Sequence, residues 1–465
     1  MVGSLILLPF YTNYLNDLQF TQVAFYISVS LLLQILFSYS IESYFGIKYT
    51  QLNGEPGQQK KFVGTISILL LLIGLILLLI SALAGNLIFG RVFNPSYQME
   101  FWPYGFLSVF TAFFNSYFKA STNALIYFKK PALFLTANFI NFIATIGISV
   151  GGLFLFPDSI VGPIYGRLLS GVIIFFIAQY IFMSNGEFKY EKSFMKDLTT
   201  FCTPYVFFVI CGWILGFVDR YVLQSYISNA DLNTYDLMLK CFFGIEFLQN
   251  SLSAVIFPKL YEIWSKQDKP ETTKESNRYF NVFTAVNITQ LIVFCIAIPF
   301  LYKLVIHNEH FYESEKYIGI IAAGFGLRSI LNFYLSTILF TKNTGILLKI
   351  FGISAFFQIV VTYFAIKEFG LMGAIYSGMA TKILQIILSS IFTRKIFKYE
   401  FNYLKIYGLP FSYLLICILS MTFFPDYNLW VYISQLAFFS VLFYFIFSKE
   451  ITIVYNQFLG KNKSA

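Results

Sequence analysis

The stretch NGEPGQQKK, Asn53 to Lys61, runs directly into FVGTISILLLLIGLILLLISALAGNLI, residues 62–88. Its first part carries turn chemistry and ends on the basic pair Lys60 and Lys61; the rest contains no charged residue. A bilayer core is crossed by about 20 apolar residues in helical form, because backbone polar groups there must be satisfied within the segment. The stretch therefore reads as a spanning helix that leaves from a basic loop. Outward from it, further apolar runs fall at about 1–16, 20–44, 101–128, 131–156, 161–183, 199–226, 233–257, 279–305, 315–341, 345–366, 371–393, 403–424 and 428–448. Breaks at Asn94-Pro95, Lys130-Pro131, Pro157-Asp158 and Pro425-Asp426 are turn signals. The fold class that follows is an all-α polytopic membrane protein of about 14 transmembrane helices. The first run is short, so its helix is expected to lack its N-terminal half.

Lysine and arginine occupy every second gap. Those gaps carry Lys48, Lys60 and Lys61; Lys129 and Lys130; Lys189, Lys192 and Lys196; Lys259, Lys266, Lys269, Lys274 and Arg278; Lys342; Arg394, Lys395, Lys398 and Lys405; and Lys449, Lys461 and Lys463. These are 21 of the 32 basic residues, and the intervening gaps hold only Arg91, Lys303, Lys316 and Lys367. Basic loops remain on the cytoplasmic side. An even number of spans then places both termini there. The net charge of +9 is dispersed over these loops, which assigns it to orientation and not to nucleic-acid binding.

A chain that is 57% hydrophobic and 12% charged is far from the soluble pattern. Two loops, about 184–198 and 258–278, are long and charged, and both are too small for a soluble catalytic domain. Cys202, Cys211, Cys241, Cys295 and Cys417 lie in apolar runs without a CxxC pair, which reads as small buried hydrophobes. His307 and His310 share a loop with Glu309 but lack a third well-spaced ligand, so no metal site is expected. Leu5–Phe10 is preceded by no basic region and followed by no small-residue cleavage site, so it is not read as a cleavable signal peptide.

The chain repeats itself. Tyr127-Phe128-Lys129-Lys130 matches Phe340-Thr341-Lys342-Asn343, Gly162-Pro163-Ile164-Tyr165 matches Gly373-Ala374-Ile375-Tyr376, and Tyr14-Leu15-Asn16-Asp17 resembles Tyr226-Ile227-Ser228-Asn229. Six spans per copy give both copies the same orientation, a parallel repeat about an axis along the membrane normal. The expected organisation is an N-terminal six-helix bundle over 1–183, a cytoplasmic linker over 184–198, a C-terminal six-helix bundle over 199–393, and two additional helices with a cytoplasmic tail over 394–465. A polar stripe repeats too. Asn141, Thr145 and Ser149 share one helical face, as do Ser354, Gln358 and Thr362. Facing lipid would be costly for them, so they turn inward; packing between helices and lining of a cavity both fit.

Seven basic residues remain in or at the edges of spans: Lys119, Arg167, Arg220, Lys240, Arg328, Lys349 and Lys382. The carboxylates there are Glu42, Asp219, Asp236 and Glu246. Charge at such depth is expensive and marks function or pairing. Asp236 and Lys240 are spaced to neutralise one another along a helix. Asp219-Arg220 reads equally as a structural ion pair. Lys349 and Arg167 lie near span ends, where side chains snorkel. Arg328 and Lys382 lie deepest and are expected to line a cavity. The surplus of cations suits a cargo bearing phosphate or carboxylate groups, since Arg meets phosphate bidentately and Lys supplies a point charge.

Three segments carry a family resemblance. Leu8-Pro9-Phe10-Tyr11-Thr12-Asn13-Tyr14-Leu15 is similar to the end of a first helix, Trp213-Ile214-Leu215-Gly216-Phe217-Val218-Asp219-Arg220-Tyr221-Val222-Leu223 to a seventh-helix aspartate–arginine–tyrosine segment, and Phe257-Pro258-Lys259-Leu260-Tyr261 to the end of an eighth helix. In these the chain resembles polysaccharide or lipid-linked oligosaccharide flippases of the multidrug/oligosaccharidyl-lipid/polysaccharide exporter superfamily. The resemblance implies two six-helix bundles around a cationic cavity, alternating access, and an undecaprenyl-diphosphate-linked oligosaccharide moved from the cytoplasmic to the periplasmic leaflet of a bacterial inner membrane. It implies export of a surface polysaccharide such as lipopolysaccharide O-antigen. The two helices after the twelfth also occur in peptidoglycan lipid-precursor flippases and some polysaccharide exporters.

The expected roles follow. Arg328 and Lys382, with Arg167, Lys119 and Lys240, bind the diphosphate. Asn141, Thr145, Ser354 and Gln358 contact sugars, and Glu42, Asp219, Arg220 and Asp236 serve coupling or gating. Partners are the lipid-diphosphate-linked glycan and membrane lipid, with a proton or sodium ion and a polysaccharide polymerase as further candidates. No catalytic residue, metal or cofactor is expected. The alternatives are a cation-coupled multidrug exporter and a membrane-embedded glycosyltransferase or polymerase.

Overall fold

Every described apolar stretch is helical, and no strand occurs among the described residues. A computed structural model describes residues 2–265, 269–306, 309–341, 343–394 and 402–458. His307, Asn308, Lys266, Lys342, Lys395, Lys398, Lys461 and Lys463 lie outside the described residues. The helices are α1 (Val2–Tyr14), α2 (Asp17–Ser38), α3 (Ile41–Gln51), α4 (Pro56–Val92), α5 (Phe106–Tyr127), α6 (Pro131–Leu155), α7 (Val161–Asn185) and α8 (Met195–Leu223). They continue with α9 (Asn229–Ser265), α10 (Lys269–Val305), α11 (Ile318–Gly326), α12 (Arg328–Phe340), α13 (Thr344–Arg394), α14 (Tyr403–Phe423) and α15 (Leu429–Phe458).

Among the described residues, 11 helices are long and apolar enough to cross a membrane. One of them, Gly345–Arg394, contains two of the runs, 345–366 and 371–393. Gly370 separates them at φ +54, a left-handed conformation that glycine adopts without a Cβ clash. The other two runs are α1, 13 residues long, and α5, whose hydropathy is lowered by Asn115, Lys119 and Asn123. The chain is thus an all-α, multi-pass membrane protein.

The run 20–44 is two helices where one is expected. Tyr39 and Ser40 take φ of +46 and +53 and break α2 from α3. The break sets Glu42 in the first turn of α3, where the positive end of the helix dipole favours a carboxylate. The start of α2 is a capping box: Asn16 Oδ1 accepts from Gln19 N at 2.9 Å, and Gln19 Oε1 accepts from Asn16 N at 3.1 Å.

Proximity groups the chain into two compact units, Val2–Asp236 with Phe351–Leu371, and Leu237–Ile350 with Met372–Ala465. In the first, α6 and α7 meet through small residues. A Cβ on Gly152 would lie 2.6 Å from Gly162 Cα, and one on Gly166 2.6 Å from Ser149 Cα. Such backbones approach closely because nothing stands between them. At the end of this unit that carries Lys48, an aromatic core of Phe45, Phe62, Tyr117, Phe182 and Phe194 closes over buried Cys202. In the second unit, α14 packs on α11 and α15 on α10, so the two added helices belong to its core. All of Ile318–Gly326 is buried. The five cysteines are free thiols, three of them buried.

Candidate functional site

In the first unit, α3 and α5 bring Glu42 and Lys119 together. Lys119 Nζ lies 2.9 Å from Glu42 Oε1, and Asn123, one turn along α5, donates from Nδ2 to the Glu42 backbone carbonyl at 2.6 Å. The pair is unevenly enclosed. The Lys119 side chain is 57% exposed and that of Glu42 17%, while Glu42 Oε2 is buried and accepts no hydrogen bond.

Arg220 sits in a denser network built by α8 and the first turns of α9. Its Nε donates to Asp236 Oδ1 at 2.6 Å, and its NH1 donates to Gly216 O at 2.8 Å and faces Asp219 Oδ1 at 3.4 Å. Asp219 also accepts from the Arg220 backbone N–H at 2.9 Å and from the Tyr235 hydroxyl. The guanidinium lies 5.0 Å over the Phe217 ring. Side-chain exposure is 5% for Arg220 and 7% for Asp236. Arg220 therefore faces two carboxylates in a nearly closed setting. Next to it, the Tyr221 and Ser28 hydroxyls share a bond of 3.0 Å and Trp213 Nε1 donates to Ser28 O at 3.2 Å. The aspartate–arginine–tyrosine segment so ties α8 to α2 and to α9.

In the second unit, α9 presents Glu246 and Asn250 to Arg328, the first residue of α12. Arg328 NH1 is 2.8 Å from Glu246 Oε1, and NH2 donates to Asn250 Oδ1 at 3.4 Å. Lys382, from the second half of α13, places Nζ 4.6 Å over the ring of Phe325. A Cβ on Gly324 would lie 3.3 Å from that Nζ. Arg328 follows Phe325 within one turn, so Arg328 and Lys382 come to the same α11–α12 junction. Gln249 Nε2 reaches the Phe325 carbonyl at 3.4 Å and also donates to Asn287 Oδ1. Gln249, Asn250, Ser253 and Asn287 are residues that the sequence reading missed. The signal was present: Glu246, Gln249, Asn250 and Ser253 follow the i, i+3, i+4, i+7 spacing of one helical face.

The first polar stripe is used between helices, and the second is bonded along its own helix. Thr145 Oγ1 donates to Asn141 Oδ1 at 3.2 Å and to Ser170 Oγ on α7 at 3.2 Å, while Ser149 packs on Gly166. Gln358 Nε2 donates to Thr362 Oγ1 at 2.9 Å, and Ser354 is fully buried. Arg167, on α7, is half-buried, and its Nε is enclosed without an acceptor. Lys240 and Lys382 are half-buried and Lys349 is exposed. His310 Nδ1 is 3.8 Å from Glu313. No group of three potential metal ligands occurs among the described residues.

Glu42, Asp219, Asp236 and Glu246 thus each have a basic partner within 3.4 Å: Glu42 on Lys119, Asp219 and Asp236 on Arg220, Glu246 on Arg328. Counted against Lys119, Arg167, Arg220, Lys240, Arg328, Lys349 and Lys382, these four leave three positive charges in excess.

A family described as polysaccharide biosynthesis protein matches residues 2–264. An uncharacterized membrane protein of Methanocaldococcus jannaschii is 22% identical over 247 residues, 51% of this chain and 48% of its own; the chain spans about half the length of this curated relative. Among solved structures, a lipid II flippase, MurJ, in an inward closed conformation superposes with a TM-score of 0.69 at 14% identity, covering 98% of both chains. An inward-facing multidrug resistance transporter of the MATE family superposes with a TM-score of 0.67 at 10% identity, covering 84% of this chain and 95% of the other. At these identities the likeness is one of fold.

Proposed function

Because this chain belongs to the polysaccharide biosynthesis protein family, we propose that it moves a lipid-linked oligosaccharide, carried on a diphosphate, from the cytoplasmic to the periplasmic leaflet by alternating access. The observation that carries this reading is the excess of positive charge in the spans, with Arg328 and Lys382 at one helix junction. A diphosphate offers several charged oxygens to a guanidinium and an ammonium together. Lys119, Arg167 and Lys240 supply further cationic contacts, and Asn141 and Thr145, which stay partly exposed, contact the sugars. The lipid tail remains in the bilayer. No bond is made or broken in such a step, so no residue is assigned a catalytic role. Coupling to a proton or sodium ion falls to Glu42, Asp219 and Asp236, with Arg220 as the gating partner. A polysaccharide polymerase would take the flipped product. The bacterial cytoplasmic membrane, with both termini cytoplasmic, is the location.

A multidrug exporter is the reading that the second structural likeness favours. Its cationic cargo conflicts with the positive excess. The two are separated in proteoliposomes by the transleaflet movement of a lipid-diphosphate oligosaccharide. The double variant Arg328→Ala, Lys382→Ala, inserted normally, should lose at least about tenfold in rate, the effect of removing two charged contacts of roughly 1 kcal/mol or more each. Unchanged movement in that variant overturns the assignment.

A further inference from the structure

Two of the ion pairs described above repeat a single plan. Glu42 lies on the second span of the first copy and Lys119 on its fourth; Glu246 lies on the second span of the second copy and Arg328 on its fourth. Each pair is tied to a neighbouring amide, Asn123 at the Glu42 carbonyl and Asn250 at the Arg328 guanidinium. Register is not what repeats: at the offset of about 212 residues between copies, Arg328 falls three residues early and Glu246 eight. What the two copies share is the partnership of second and fourth spans, not the positions of the two residues.

Both pairs differ from the Arg220 network in being open. Side chains of Arg328 and Glu246 are 24% and 21% exposed, against 5% and 7% for Arg220 and Asp236. Both are held by few contacts. Glu42 leaves Oε2 without a donor, and Glu246 meets one guanidinium nitrogen at 2.8 Å while the other reaches only to 3.4 Å from Asn250. An open pair, one carboxylate oxygen on one cation, contributes little binding free energy.

We propose that Glu42 and Glu246 are resident counter-ions, one in each copy, which occupy the anion positions of Lys119 and Arg328 when no cargo is present and yield them to phosphate. This rests on the reading that the cargo bears phosphate. A carboxylate has one charge and two oxygens, whereas a diphosphate has more of both and fits the guanidinium fork. The resident glutamates thereby set specificity: they exclude cargo whose only anion is a carboxylate, and they return to the cations as the diphosphate leaves, which keeps the cargo from binding irreversibly.

The test uses the full chain in phosphatidylcholine nanodiscs, with farnesyl diphosphate and farnesoic acid as probes. Glu42→Gln and Glu246→Gln should each bind farnesyl diphosphate about two- to fivefold more tightly than the parent, as expected when a competing open pair is removed. The preference for farnesyl diphosphate over farnesoic acid should narrow in both. Glu→Ala replacements must agree in sign. Weaker or unchanged binding in the Gln and Ala variants, with binding still lost in Arg328→Ala, overturns the counter-ion role and leaves the phosphate reading standing. Binding unaffected by Arg328→Ala and Lys119→Ala as well overturns both. Glutamate variants that no longer run as monodisperse protein place these residues in the fold and also overturn the proposal.

Discussion

Arg220 and Lys119 show how enclosure decides what a charged side chain does. Arg220 is closed in by Asp219, Asp236, Tyr235 and Phe217, and its Nε and NH1 donate to groups of its own chain. Breaking a buried pair leaves an uncompensated charge and costs about 3–5 kcal/mol. Arg220→Ala should therefore lower the thermal melting midpoint of the purified protein markedly. Lys119→Ala, in an open pair, should change stability by less than about 1 kcal/mol, so that melting curves of the two variants separate the enclosed cation from the reachable one. A comparable loss in both would show that the Lys119 pair is structural. At this scale the sequence reading foresaw an Asp219-Arg220 pair. It did not foresee Tyr235 or the Arg220–Asp236 bond, because these cross the α8–α9 turn, where no fixed periodicity links the partners.

Among the elements, α6 and α7 are the pair whose packing is most constrained by residue size. A Cβ at Gly162 would fall 2.5 Å from the Gly152 carbonyl carbon, with only backbone to yield. Gly162→Ala should destabilise by about 1–3 kcal/mol, the usual effect of overpacking. Gly147→Ala, on the same helix pair but with nothing within 4 Å, should stay within about 0.5 kcal/mol. Thermal melting in detergent checks both, and equal shifts would rule out close backbone approach as the reason. The α2–α3 break belongs to this scale too. Hydropathy runs unbroken through residues 20–44, so the sequence suggested one span. Tyr39 and Ser40 carry no turn chemistry that announces their left-handed conformations. The break at Gly370 was legible, since a polar Lys367-Glu368 pair and a glycine interrupt the apolar pattern.

For the whole molecule, the alternation of basic gaps makes a topological prediction. Single cysteines at Asn53 and at Ser159, in successive classes of gap, should react with an impermeant maleimide from opposite sides of the membrane. Asn53 should be reached from the cytoplasm, in a background with Cys202, Cys211, Cys241, Cys295 and Cys417 replaced by serine or alanine. Labelling of both from one side would contradict the orientation.

The sequence by itself determined that the chain is helical, that it crosses a membrane many times and that its spans carry more cations than carboxylates. These properties depend on length, hydropathy and count, which the bilayer reads one segment at a time. Tertiary structure alone decided which cations face which carboxylates: Arg328 met Glu246 from 82 residues away and Lys119 met Glu42 from 77. It also decided that Arg220 is sealed while the other two pairs stay open. Pairing and enclosure depend on how helices distant in sequence are rotated and packed against one another, and no single helix carries that information.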